Sequence, residues 1–362
     1  MIHSVNGNLL SADVDAVVNT VNTVGVMGKG IALQFKRAYP DMFKAYKRAC
    51  DRNEVRLGEM WVWDNASFAG PRHVINFPTK GHWRSNSKLA DIEAGLDDLS
   101  RVIAERGITS VAVPPLGCGN GGLDWNLVRP VIVERLGQLD EVEVQLFEPG
   151  GAPAARDMID RTVRPSMSIG KAALVSTIGQ YSAVAWDASV VEVQKLMYFL
   201  QVAGEPLNLN YAKGRYGPYA ENLSKVLAKV EGHFLTGFGD GSKRVADTEP
   251  IEVLPGAMEE ANAVLANHDE SRHRIDRVLD LVTGFESAYF MELMATVHWV
   301  ATSIDHGAHD AATITRHVHE WSDRKAGLFT EPHVSAVLDR LRATDFLPAV
   351  AWALPGRRTA ST

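Results

Sequence analysis

Cysteine is scarce in this sequence, because only Cys50 and Cys118 occur among its 362 residues. Two isolated thiols form neither a disulfide framework nor a CxxC pair for a metal. No apolar run approaches the ~20 residues that a membrane-spanning helix needs, and the N-terminus enters a strand-like segment without a basic and apolar signal sequence. These absences predict a soluble cytoplasmic protein with no membrane partner, no bound metal and no cofactor.

A basic excess is also lacking. The formal net charge is −7, of which residues 1–155 carry −2 and the remaining residues carry −5. This balance argues against a protein that coats nucleic acid through a generally basic surface, although a local groove for a short single strand stays open. The acidic excess lies mostly in the C-terminal half.

The length and the apolar content favour two globular domains, since 46% of the 362 residues are hydrophobic. Strand-like and helical segments alternate as far as Phe147, which predicts a three-layer α/β/α domain over residues 1–150. A stretch rich in proline, glycine and alanine predicts a linker over residues 151–168. The pattern of residues 169–355 is mainly α-helical, with Pro218 expected one residue inside a helix.

A glycine-rich segment stands between a predicted strand and a predicted helix. It reads PPLGCGNGGLDW, from Pro114 to Trp125, and four of the six residues 117–122 are glycine. Glycines allow positive φ angles, so that successive N–H groups converge near the positive end of the following helix, where an anion such as phosphate is favoured. The alternative is a tight turn whose glycines solve only a steric problem.

A second glycine-rich loop occurs earlier in the chain. The strand-like AVVNT of residues 16–20 leads through Asn22 into residues 25–30, and an apolar helical pattern then runs from Ile31 to Pro40. Each loop alone has a purely steric interpretation. Two such loops on one domain favour a diphosphate that is held from both sides.

A polar loop follows the predicted strand of residues 73–77 and reads PTKGHWR. It lies at the sheet edge where ligands of open α/β folds bind. A lysine that is partly desolvated has a lowered pKa and acts as a nucleophile or base, and Lys80 is a candidate for this role. From the loop alone, a solvated surface charge is the favoured interpretation. Trp83 is expected to stack on a splayed base and His82 to contact the edge of that base, or else both anchor the loop.

Three segments together resemble a known family. They are VVNTVNTVGVMGKGIA of residues 17–32, the FKRAYP that follows, and PPLGCGNGGLDW, and they resemble the macrodomain, the ADP-ribose-binding module, over Met1 to about Glu148. The combination of GKGIA, GCG and an intervening TK loop is similar to the branch of terminal ADP-ribose glycohydrolases and, most closely, to the DarG antitoxins. Those antitoxins undo DNA ADP-ribosylation by DarT toxins.

The resemblance implies roles for individual residues. The two glycine-rich loops hold the two phosphates through backbone N–H groups, Asn22 binds the distal ribose hydroxyls, and Asn8 stands where many macrodomains carry an aspartate for the adenine. Lys29 either contacts phosphate or is an exposed side chain. The resemblance makes Lys80 the expected catalytic residue. In the terminal glycohydrolases a lysine of this loop works with an aspartate of the second glycine-rich loop, but Gly121 stands at that position here. The expected substrate-binding residues are Asn8, Asn19, Asn22, Gly28, Lys29, Gly30, Ile31, Ala32, Thr79, His82, Trp83, Gly117, Cys118, Gly119, Asn120, Gly121, Gly122 and Leu123.

The second half carries a further resemblance. The runs QKLMYFLQVAGEPLN and KGRYGPYAENL resemble a helical domain of several toxin–antitoxin proteins, sometimes called Panacea-like. The basic and aromatic residues from Lys213 to Tyr219 either contact nucleic acid or a protein or form a packed turn. His317 and His319 point to different sides of a helix and no cysteine accompanies them, so no metal site is expected.

The two halves together predict an antitoxin. Its macrodomain removes ADP-ribose from a base in single-stranded DNA, and residues 169–355 bind and inhibit the cognate DarT-like ADP-ribosyltransferase toxin. An acidic surface suits such a partner because a DNA-modifying enzyme presents a basic groove. Two alternatives stay open, a hydrolase acting on ADP-ribosylated protein carboxylates and a non-catalytic ADP-ribose-binding adaptor.

Overall fold

A computed structural model describes residues 1–66, 70–185, 187–244, 247–303 and 310–347. The chain forms two compact units, the first made of residues 1–164 with 239–247 and the second of residues 165–238 with those from 248 onward. The end of the predicted helical domain, residues 348–355, lies outside the described residues.

A six-stranded sheet forms the centre of the first unit. Its strands are β1 Ile2–Val5, β2 Ala16–Asn22, β3 Trp61–Asp64, β4 His73–Lys80, β5 Ser110–Val113 and β6 Glu143–Phe147. Their order across the sheet is β1-β6-β5-β2-β4-β3. All neighbours are parallel except β3, which pairs with β4 as an antiparallel hairpin.

Helices cover both faces of this sheet. Successive side chains of a strand point to opposite sides, so a strand that is apolar throughout needs a helical layer on each face. Val17 faces a core shared with α1 Gly30–Ala38 and α2 Pro40–Asp51, and Val18 faces the core formed with α3 Leu89–Arg106 and α4 Trp125–Leu136. The β2 strand is therefore buried from both sides. The predicted three-layer α/β/α macrodomain is confirmed.

Two further segments pack on the first unit. In the segment assigned above to a linker, the Arg161 N–H donates to the carbonyl of Arg37 at 2.9 Å, and Ile159 packs against the core of α1 and α2. Residues 239–247 come from the helical half of the sequence, yet the Gly30 N–H donates to the carbonyl of Asp240 at 3.1 Å. Neither segment has a periodic pattern of apolar residues from which this packing could be predicted.

The second unit is mainly helical, as predicted. Its helices are α5 Ile169–Ser182, α6 Val190–Val202, α7 Glu221–Val230, α8 Ala257–Leu265, α9 Asp269–Val282, α10 Ala288–Ser303, α11 Ala311–His319, α12 Asp323–Leu328 and α13 Glu331–Ala343. The α6 and α10 helices are buried along most of their length. No helix within the described ranges is long and apolar enough to span a membrane.

Two short antiparallel ribbons interrupt the helices of the second unit. They pair β7 Tyr211–Gly214 with β8 Gly217–Ala220, and β9 Leu235–Thr236 with β10 Glu252–Val253. The expectation that Pro218 lies inside a helix is wrong, because it lies in β8 opposite Lys213. Both strands of a two-stranded ribbon are edge strands, which tolerate a residue without an N–H group.

Candidate functional site

Three loops meet at the carboxyl edge of β2, β4 and β5. We call them the first glycine loop (residues 23–29), the lysine loop (residues 81–88) and the second glycine loop (residues 114–124). Asn22 at the end of β2 pairs with Lys80 at the end of β4, after a shift in register. The Thr23 hydroxyl donates to the carbonyl of Gly81 at 2.8 Å, which joins the first glycine loop to the lysine loop.

The Asn22 side chain organises the first glycine loop. Its amide nitrogen donates to the carbonyl of Val26 at 2.6 Å, and its oxygen accepts from the N–H groups of Val24 and Val26 at 3.1 and 3.2 Å. The loop turns at Gly25, whose φ is +75°. The Tyr46 hydroxyl donates to the Asn22 carbonyl from below. Asn22 is thus fixed at the mouth of the site and buried.

Asn19 lies deeper in the same strand and is completely buried. Its amide nitrogen donates to the Asn76 side-chain oxygen at 2.9 Å. The Asn19 oxygen and the Asn76 nitrogen have no partner. A buried unpaired amide group costs free energy, so this pair is an unusual polar pair in the core beneath the loops. Sequence reasoning missed Asn76 because it lies within an otherwise apolar strand.

The first turn of α1 faces the second glycine loop. Gly28 and Lys29 are exposed, Ile31 and Ala32 are half-buried, and no side chain caps the helix. Gly30 has a φ of +62°. A Cβ atom on Gly30 would lie 3.0 Å from the side-chain nitrogen of the exposed Asn120, so the positive φ is the main reason for glycine here.

The second glycine loop is folded by its own backbone. The Leu123 N–H donates to the Gly117 carbonyl at 3.0 Å, and the Gly122 N–H donates to the Gly119 carbonyl at 3.1 Å. Gly117 and Gly122 adopt φ angles of +71° and +76°. Gly119 is exposed, and a Cβ there would have no atom within 4 Å, so backbone at the tip of the loop is open to a ligand.

The Cys118 thiol is not an activated nucleophile. Burial, with a smaller contribution from the Asp124 carboxylate, raises the pKa of Cys118 to about 11. The thiolate is the reactive form of cysteine. Cys118 therefore serves as a packed loop residue whose backbone shapes the site.

Lys80 joins the carboxyl edge of the sheet to the second glycine loop. Its ammonium group donates to the backbone carbonyl of Asn120 at 2.7 Å, and burial lowers the pKa of Lys80 below that of an ordinary lysine. The preceding Thr79 is buried, and its hydroxyl donates to the carbonyl of Val21 at 3.4 Å. A partly desolvated amine beside the loops is placed to act as a nucleophile or base.

His82 and Trp83 project from the lysine loop into solvent. Trp83 is 45% exposed, and the Arg84 guanidinium lies over its ring at 4.5 Å from the centroid. The Arg84 N–H donates to Nδ1 of His82 at 3.2 Å. An exposed indole with a stacked arginine is suited to stacking on an unpaired base.

Asn8 is engaged in local structure at the end of β1. Its side-chain oxygen accepts from the Leu10 N–H at 3.1 Å, and its nitrogen donates to the Asp157 carbonyl at 3.3 Å. It thus caps the short turn Leu9–Ser11 and holds residues from the segment 151–164.

Ser87 was missed entirely by sequence reasoning, although its N–H donates to the Gly121 carbonyl at 2.9 Å.

Metal ligands do not cluster in the described part of the chain. No three His, Cys, Asp or Glu side chains lie together there as an ion would require. His317 instead pairs with Glu320 at 2.8 Å, and His319 contacts the carbonyl of Phe329.

Comparison with known proteins gives a family. The Macro domain matches residues 18–132. A DNA ADP-ribosyl glycohydrolase of Thermus aquaticus is 44% identical over 352 residues, which are 97% of this chain and 96% of the relative. A DNA ADP-ribosyl transferase-DNA ADP-ribosyl glycohydrolase fusion protein of Thermosipho africanus is 34% identical over 160 residues, which are 40% of this chain and 41% of that protein.

Among solved structures, the macrodomain of Mycobacterium tuberculosis DarG is 60% identical, covers 41% of this chain and 99% of that one, and has a TM-score of 0.41. The matched residues contain all three loops of the site, which span residues 23–29, 81–88 and 114–124. Because the identity of 44% extends over nearly the full length of both chains, the protein belongs to the DNA ADP-ribosyl glycohydrolases of the DarG type, as the sequence resemblance predicts.

Proposed function

We propose that this protein is an antitoxin that removes ADP-ribose from a nucleobase in single-stranded DNA. In this proposal the macrodomain performs the hydrolysis and residues from 169 onward bind and inhibit a cognate DNA ADP-ribosyltransferase. The name of the full-length relative, DNA ADP-ribosyl glycohydrolase, supports the reaction. The Thermosipho africanus relative, in which transferase and glycohydrolase are one chain, supports the partner.

The observation that carries the proposal is the position of Lys80. Its amine contacts the carbonyl of Asn120 at 2.7 Å, and Asn120 in turn lies beside Gly30 at the N-terminus of α1. The catalytic amine, the second glycine loop and the first turn of α1 therefore share one small region. A diphosphate bound by the two loops leaves its distal ribose near Lys80.

The chemistry follows from the protonation state of that amine. Only neutral lysine can attack the anomeric carbon of the ribose as its bond to the base breaks, or accept a proton from the water that attacks this carbon instead. Burial favours the neutral form because it penalises the charged one. The exposed Trp83 and His82 lie next in the chain, where they are suited to hold the base that leaves.

The second unit supplies the inhibitory surface in this proposal. Its part of the sequence carries most of the acidic excess, −5 beyond residue 155. Complementary charge steers an acidic protein toward the basic substrate groove that a DNA-modifying transferase needs. Inhibition by occupation of that groove does not require hydrolysis.

The test compares two substrates. Purified protein is incubated with ADP-ribosylated single-stranded DNA and, separately, with protein ADP-ribosylated on glutamate, and release of ADP-ribose is followed for the wild type and for Lys80→Ala. We expect rapid release from DNA by the wild type alone. Release from glutamate only indicates a protein hydrolase, and ADP-ribose binding without release from either substrate indicates an adaptor.

A further inference from the structure

Residues 239–247, which we call the strap, belong to the first unit although they follow β9 of the second unit in sequence. Gly239 and Asp240, at the start of the strap, lie along one face of α1. The Gly30 N–H donates to the Asp240 carbonyl at 3.1 Å, the Gln34 amide nitrogen donates to Oδ2 of Asp240 at 2.6 Å, and Nη1 of Arg37 donates to the Gly239 carbonyl at 3.0 Å. Gly30, Gln34 and Arg37 are spaced to share one side of a helix.

The Asp240 carboxylate is fully engaged in this contact. Asp240 is 2% exposed, and its second oxygen accepts from the N–H and the hydroxyl of Ser242 at 2.9 and 2.6 Å. A buried carboxylate is tolerated only where hydrogen bonds replace its hydration. The strap is therefore held to α1 by a built contact and not by chance proximity.

The strap and a diphosphate require the same donor. Gly30 lies within residues 28–32, whose N–H groups are expected to hold phosphate, and the Gly30 N–H is already given to Asp240. A backbone N–H is a single donor. The Asp240 carbonyl oxygen also lies at the positive end of the α1 dipole, where its partial negative charge interacts with the helix in place of a bound anion.

We infer that the strap is an autoinhibitory latch on the ADP-ribose site. This inference rests on the proposed function of that site. In the closed form the Gly30 N–H donates to the Asp240 carbonyl. ADP-ribose binds after the latch has released this N–H group. The association constant measured for the whole chain is then the intrinsic association constant multiplied by the fraction of molecules whose latch is open.

The test measures ADP-ribose binding by calorimetry with the full-length chain. Asp240→Ala removes the carboxylate, and Gln34→Met removes its partner on α1 while conserving side-chain volume. Each is expected to bind ADP-ribose about tenfold more tightly than the wild type, within the range usual for coupled equilibria. The matched control is Asp247→Ala, which removes a half-exposed carboxylate of the same strap that pairs with Arg244 at 2.8 Å, and it is expected to leave the affinity unchanged.

Hydrogen exchange provides a second readout. The first turn of α1 is expected to exchange faster in Asp240→Ala and Gln34→Met without ligand than in the wild type, because the strap that carries the backbone acceptor of the Gly30 N–H is held less tightly. If Asp240→Ala does not fold, the conservative Gln34→Met decides the outcome.

The possible results separate the latch from the function of the site. Wild type and folded variants that bind ADP-ribose equally, or variants that bind it more weakly, overturn the latch and leave the proposed function standing. Binding by the variants alone supports the latch most strongly. If neither the wild type nor any folded variant binds ADP-ribose, both the latch and the proposed function are wrong.

Discussion

Ser87 occupies the space into which any side chain at Gly121 would project. A Cβ atom on Gly121 would lie 2.3 Å from the Ser87 hydroxyl oxygen and 2.3 Å from the Gly117 carbonyl oxygen. The resemblance to the terminal glycohydrolases implies an aspartate at this position of the loop, where this chain has Gly121. Here that position points into the protein, and the group that meets Lys80 is the Asn120 carbonyl.

Substitution of Gly121 by alanine is expected to damage both the fold and the site. Overpacking against fixed backbone costs about 1–3 kcal/mol, and relief of the clash displaces the second glycine loop. We expect a lower midpoint of urea unfolding and weaker ADP-ribose binding by calorimetry. Gly119→Ala is the control, since a Cβ there meets no atom within 4 Å. Equal stability of the two variants would contradict this account.

Lys80→Ala is expected to lose turnover while it retains ADP-ribose binding. Loss of a positioned acid–base group lowers kcat by about 10²–10⁴-fold, and the diphosphate donors lie on other residues. Because burial lowers the pKa of Lys80, the wild-type rate should rise with pH and level off below the ordinary lysine pKa of 10.5. A rate that falls as pH rises through this range would show that the charged amine is the active form.

Trp83→Ala is expected to weaken binding of the DNA without weakening binding of free ADP-ribose. Stacking of a base on an aromatic ring contributes about 1–3 kcal/mol, and the Trp83 ring is 45% exposed. We expect a KM for ADP-ribosylated single-stranded DNA that is raised about tenfold or more, by the same principle. The affinity for free ADP-ribose, measured in parallel, should not change. An equal loss for both ligands would assign Trp83 to loop structure.

Catalytically inactive Lys80→Ala protein is expected still to inhibit the transferase. The inhibitory surface is proposed to lie from residue 169 onward, where no part of the lysine loop occurs. Modification of DNA by the transferase should fall as the variant is added, and the inhibition should weaken as salt screens complementary charges. Inhibition that disappears together with hydrolysis would leave no independent role for the second unit.

Lys195 is expected to make the stability of the second unit depend on pH. Burial lowers its pKa from 10.5 to about 7, against the opposing charge of Glu292. Between these two values the unfolded chain binds the proton and the folded chain does not, so the free energy of unfolding should increase with pH from about 7 upward. The slope contributed by one group is at most ~1.4 kcal/mol per pH unit.

Lys195→Met is expected to remove that slope, since it conserves volume without a titrating amine. Urea unfolding between pH 7 and 9, expressed as the difference between wild type and variant, measures it. The exposed Lys225, replaced by methionine in a control, should leave the slope intact. An unchanged slope in Lys195→Met would assign the pH dependence to other groups.

The sequence by itself determined the architecture of the first unit. Alternating strands and amphipathic helices specify a layered sheet, and the two glycine-rich loops follow strands because tight turns and positive φ angles require glycine locally. Gly25, Gly30 and Gly117 do adopt positive φ. Local signals failed at Pro218, because Gly214 and Gly217 pair at the turn of a hairpin and the buried Lys195 amine donates to the Pro218 carbonyl at 2.6 Å.

Only the tertiary structure decided which groups meet in the candidate site. Lys80 and Asn120 are 40 positions apart, and the partner of Gln34, Asp240, is 206 positions away. No period or turn preference encodes such contacts, because they depend on how strand order brings loop ends together and on which buried polar groups find partners. The strap has no local signature at all, since its place is set by hydrogen bonds to α1 and not by a pattern of its own.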